Sequence, residues 1–149
     1  MFIEPNFTSI EPIFKKLHKD SMPLWGSMCA QRMLEHLVDN LEMAMAKKNY
    51  SLSIPEDRIP RMQDFLWSEK PMAKNIKVAF APEKYTLRNG SFDEAKEELY
   101  ATWKAYENHF KEHPKATSIH PFYGALNKNL WDRLIAKHFT HHFEQFGLL

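Results

Sequence analysis

Residues 127–147, NKNLWDRLIAKHFTHHFEQFG, decide the fold class. Asn127 is a residue type that caps a helix start and Gly147 one that stops a helix, and apolar residues between them recur at spacings of three and four. The stretch predicts a final helix running to Phe146. His138 and His142 fall four residues apart on it, which stacks two imidazoles on one face, the arrangement that holds a metal ion with two ligands from one rigid rod. At 100° per residue with His138 as zero, Trp131, Leu134 and Ile135 lie within about 60° and His142 at about 40°, so both histidines face the core. His141 lies about 60° the other way, leaning toward a polar side formed by Lys137, Glu144 and Arg133. Gln145 returns to within about 20° of His138, where it would serve as an outer hydrogen-bond partner or a pocket wall.

Outward from this helix the same periodicity recurs. Ser91-Phe92-Asp93-Glu94 is a clear helix start, and the segment to about His113 sets Phe92, Leu99, Trp103, Tyr106 and Phe110 on one stripe before Pro114 ends it. Roughly Cys29 to Lys47 carries Ala30, Met33, Leu34, Leu37, Leu41, Ala44 and Met45 on one side. Thr8 with Glu11 matches a capping box for a short helix to about His18, and Ser53 with Glu56 matches another for a helix between Pro55 and Trp67. Residues 68–90, rich in proline and lysine, read as a long crossover or lid, and VAFAP at 78–82 has a composition compatible with an extended segment but too isolated for a sheet. With four glycines and no strong alternating pattern, the expectation is all-α: an antiparallel four-helix bundle with a short extra helix and a long crossover loop, one domain over 1–149.

Composition bounds the function. A chain of 149 residues buries a core without disulfides or a structural metal. Twenty basic residues against 19 acidic ones disfavour nucleic acid and acidic membrane as partners. The start, MFIEPNFTSIEP, has neither the pattern of a secretory signal nor that of a transit peptide, and no apolar run is long enough to span a bilayer. The single cysteine, Cys29, has no partner for an internal disulfide, and its neighbours Met28 and Ala30 do not mark a reactive thiol. A cytoplasmic setting is expected.

Eight histidines invite a search for chemistry. His109 and His113 repeat the i, i+4 spacing, but they sit at a helix end before Pro114 and off the apolar stripe, where solvated histidines are favoured by the helix dipole. A catalytic metal usually needs three protein ligands and an open position, so His138 and His142 need a third arm. His36 is the best donor, since the long second helix can project it toward the last one, although it lies on the boundary between Met33 and Arg32, a place that equally suits an exposed histidine. His120, just before Pro121, is a candidate fourth ligand, general acid/base or substrate contact, or a turn residue. Trp25, Phe122 and Tyr123 would wall a pocket mouth or pack as core, and Glu35 and Asp39 beside His36 read as a solvated face.

Three pieces also carry a family likeness: WGSMCAQRMLEHL (25–37), HPFYGALNKNLWDRL (120–134) and KHFTHHFEQFG (137–147). They resemble the DinB-like, or YfiT-like, superfamily of metal-binding four-helix bundles, most closely a branch with WGxM…MxxHL and HPFxGxL…W…KHxxHHxxQFG. The likeness extends over most of the chain, with its specific motifs confined to 25–37 and 120–147. It implies a divalent metal ion bound by one histidine of the second helix and an HxxxH pair of the last, here His36, His138 and His142. Cys29 departs from the pattern where a better cap such as threonine is expected, leaving Ser27 as the alternative cap. Superfamily members include thiol-dependent transferases, an isomerase and proposed metal-dependent hydrolases, while the branch itself implies no particular reaction. The likeness implies a divalent metal ion and a small-molecule substrate and is compatible with a small thiol cosubstrate and a homodimer, while the imidazole donors suit zinc, nickel or iron(II) without choosing among them. A transferase would hold a thiol as its thiolate and a hydrolase would activate water. The competing expectation is a non-catalytic bundle that binds a small ligand or a partner, with a vestigial or structural metal site.

Overall fold

The computed structural model describes residues 1–78 and 84–149; of the VAFAP stretch all but Val78 lies outside the described residues. Those residues form five α-helices and one small hairpin: α1 (Phe7–Phe14), α2 (Ala30–Ala44), α3 (Ile59–Trp67), α4 (Phe92–Glu112), β1 (Ser118–His120), β2 (Gly124–Leu126) and α5 (Lys128–Gln145). None of these helices is long and apolar enough to cross a membrane.

Helix α5 begins and ends where the sequence places it. The Asn127 side chain accepts from the Leu130 N–H, and Gly147 takes φ +64 while Gly147 and Leu148 donate back to Glu144 and Phe143. Helix α4 starts on Ser91, whose side chain accepts from Glu94, and buries Leu99, Trp103, Tyr106 and Phe110. It packs along α2, which also touches α5, and α3 packs along α5. Phe14, Trp103, Phe139 and Phe143 meet edge-on or tilted in the shared core, and Tyr106 donates to Asp132 of α5 at 2.7 Å.

Several expected boundaries move. Helix α1 is capped by Asn6 rather than started at Thr8, and it ends at Phe14 because Lys16 and Leu17 turn back to carbonyls three residues earlier. Helix α2 is capped by Cys29 Sγ, which accepts from Arg32 at 3.4 Å, so Ser27 is not the cap. Its far end closes through Ala46 at φ 55 instead of running to Lys47. Ser53 does not cap α3: its N–H donates to Pro121, and a 3-10 turn over Glu56–Arg58 leads into the helix.

The hairpin is an addition to the all-helical expectation. It pairs Ser118 with Leu126, Ile119 with Ala125 and His120 with Gly124. Three-residue strands are too short to show an alternating pattern, and their anchors are not local. Ser118 Oγ donates to Ala44 at the end of α2 and accepts from Trp131 in α5, while Gln63 of α3 donates to Tyr123 and Ala125. Gly124 sits at φ +74 with Ile59 so close that a Cβ would stand 2.9 Å from its Cδ1, so only glycine fits this contact.

Candidate metal centre

His138 and His142 project from the face of α5 that meets α2, and His36 of α2 completes a cluster whose ligand atoms all lie within 4.8 Å of one another. His138 Nε2 stands 2.9 Å from His36 Nε2 and 3.1 Å from His142 Nε2. Nitrogens sharing one zinc-sized ion in a tetrahedral set stand about 3.3 Å apart, so these two separations need only a slight spread, within a cluster whose ligand atoms span at most 4.8 Å. His36 and His138 keep some exposure as residues and His142 is buried.

The outer nitrogens are also engaged. His138 Nδ1 faces Asn40 Oδ1 at 3.2 Å, and His142 Nδ1 faces Gln145 Oε1 at 2.7 Å. An amide oxygen only accepts, so Gln145, whose Nε2 is committed to the Trp25 carbonyl, suits a proton on His142 Nδ1 and a lone pair on its Nε2, and Asn40 as placed suits the same tautomer of His138. Burial drives the His36 pKa down to about 4, with Arg32 adding to the effect and Asp39 opposing it. Burial first, then the neighbouring imidazoles, pushes His138 and His142 well below the ordinary histidine value. All three rings are therefore neutral at pH 7, the form that binds metal.

Asn40 is the member that the sequence reading did not single out. Its signal was present, because it lies four residues beyond His36 and so on the same face of α2. Gln145, expected as an outer partner, takes that role, and its Nε2 donates to the Trp25 carbonyl at 3.0 Å.

Two neighbours of the cluster overturn their expected surroundings. Glu35 is not on a solvated face: it is 1% exposed and accepts from the Arg88 and Asn89 N–H groups and from the Asn89 and Gln31 side chains. Burial works to raise its pKa, but these hydrogen bonds together hold it below the usual value. Lys137 is not on a polar side either, being fully buried, with Nζ donating to the Ser68 and Lys70 carbonyls at 2.6 Å and lying over the Phe2 and Phe65 rings. In both cases the expected crossover supplies the cover, its first residues on α5 and its last on α2.

His141 stays outside the three-ring cluster, half-buried with its ring 5.6 Å from Trp25. His120 closes β1, buried beside Tyr123 and Trp131, and its Nδ1 accepts from the Phe122 N–H. Burial takes its pKa down to about 3. Tyr123 belongs to the core, Phe122 packs against it, and Trp25 is half-buried.

No family model, no curated protein and no solved structure matches the chain. A helical protein with a three-histidine cluster able to hold a metal ion stands on its own geometry.

Proposed function

We propose that this chain is a metal-dependent member of the DinB-like four-helix bundles, with a divalent ion on His36, His138 and His142 serving thiol-dependent transfer or hydrolysis of a small molecule. The observation that carries the reading is the 3.1 Å approach of the His138 and His142 Nε2 atoms while both Nδ1 atoms face amide oxygens. With their protons on the outer side and both rings neutral, two lone pairs point at each other, and a cation between them relieves the repulsion. A divalent ion there supplies Lewis acidity, lowering the pKa of a water or thiol that reaches it.

The chain's own work is to keep three imidazoles neutral, aimed and partly shielded from water. Imidazole nitrogen suits zinc, nickel and iron(II) alike. His120 enters this reading as a base or substrate contact through Nε2, since its Nδ1 accepts from the Phe122 N–H and burial keeps the ring neutral. Three histidines are one ligand short of the four that a closed structural zinc site uses, which favours an open site over a structural one.

The test is metal analysis of protein purified without a polyhistidine tag and reconstituted with zinc, nickel or iron(II). One ion per chain is expected, lost in His138→Ala with helicity retained. Wild-type protein that takes up none of the three overturns the proposal. A metal-loaded protein showing no thiol-dependent or hydrolytic turnover across a broad substrate panel would reduce it to a binding module.

A further inference from the structure

Gln145 meets the outer nitrogen of His142 rather than the side that faces the cluster, and both ends of its amide are engaged, with Oε1 2.7 Å from His142 Nδ1 and Nε2 3.0 Å from the Trp25 carbonyl. Its own carbonyl accepts from the Leu24 N–H at 2.7 Å. The residue is 6% exposed, so water does not substitute for these partners.

The Trp25 carbonyl can only accept, so the amide must present its NH₂ group there. Its oxygen is then committed to His142, and an oxygen facing Nδ1 requires the proton on Nδ1. A flipped amide would set oxygen against the carbonyl oxygen of Trp25. The order of hydrogen bonds thus runs from a backbone carbonyl before α2, through Gln145, to the protonation pattern of an imidazole on α5. Gly26 belongs to the same device: it takes φ +76, and a Cβ there would stand 3.1 Å from Gln145 Nε2. The turn keeps this place although the Trp25 indole N–H is buried with no acceptor among the described residues.

We propose that Gln145 is a positioning residue that fixes His142 in its Nδ1–H tautomer through the Trp25 carbonyl, and that the turn at residues 24–26 is thereby part of the metal centre. The consequence for metal affinity rests on the proposed function above; the tautomer does not.

The experiment reads the two separately. In metal-free protein, ¹⁵N NMR of the imidazole nitrogens reports the His142 tautomer, and cobalt(II) affinity is measured by competition titration. Wild type is expected as Nδ1–H. Gln145→Leu is expected to lose that preference and to bind cobalt(II) about 10–100-fold more weakly. Gln145→Glu, which offers Nδ1 an oxygen but loses the donor to the Trp25 carbonyl, is expected to keep the proton on Nδ1 while releasing the turn at residues 24–26. Gln145→Asn, whose amide is withdrawn by one methylene, replaces the leucine variant if that one misfolds. An Nε2–H tautomer in wild type, or an unchanged Nδ1–H tautomer in both Gln145→Leu and Gln145→Asn, overturns the proposal. A wild type that binds no cobalt(II) while showing the expected tautomers would sink the metal reading and leave the role of Gln145 intact.

Discussion

Helices α4 and α5 each carry a histidine pair at i, i+4, and the two pairs have opposite surroundings. His109 and His113 lie with ring centroids 5.5 Å apart at the C-terminal end of α4, His113 being the cap residue and exposed. His138 and His142 lie 4.7 Å apart and are met by His36 and Asn40 from α2 and by Gln145 from the last turn of α5. Spacing alone brings two rings together. A third ring and oriented outer partners make the pair a site, and of these only Gln145 comes from the same helix.

The sharpest way to break this contrast is to remove the third arm. His36→Ala should weaken zinc or cobalt binding by more than the roughly 10–100-fold that loss of an outer partner costs, whereas His109→Ala should leave it unchanged. Competition titration reads both; equal losses would mean the α4 pair also binds.

Next comes the cover over α5. Lys137→Ala strands the Lys70 carbonyl and leaves the Ser68 carbonyl to Arg133 alone, and should cost about 2 kcal/mol in urea denaturation, against about 0.5 or less for the exposed Lys111→Ala on α4.

Acid probes burial in the same terms. A histidine in the unfolded chain takes its proton near pH 6.5, while buried His120 does so only at about 3. Its contribution to stability is therefore intact above about pH 6.5 and is lost as pH falls from there toward 3, by up to about 1.4 kcal/mol per unit. His120→Asn should remove one proton's share of that slope, measured as stability against pH in metal-free protein.

The smallest effect is at the start of α2. Cys29→Ser replaces a weak sulfur cap at 3.4 Å with a better oxygen acceptor and should stabilise by about 0.5 kcal/mol without moving metal affinity.

Much of this was legible in residue order. The caps at Ser91 and Asn127, the stop at Gly147 and the stripe through Trp103 and Phe110 are local signals, and they coincide with the observed helices. The inward turn of His138 and His142 followed from helical angle, and the boundary position of His36 matches its half-burial. Glu35 and Lys137 were misread because a wheel assigns polar residues to water, whereas here the two ends of the crossover bring backbone donors to Glu35 and backbone carbonyls to Lys137. The hairpin was missed because its strands gain their anchors from α2, α3 and α5 rather than from any repeat of their own.

The sequence by itself determined which segments become helices and that two histidines would share the inner face of the last one, because capping and periodicity act over a few neighbouring residues. Only the tertiary structure decided that His36 closes on that pair, that Asn40 faces the outer nitrogen of His138, and that a turn ahead of α2 holds Gln145 in place. Those contacts join residues as much as 120 positions apart, and their geometry exists only once α2 and α5 have packed.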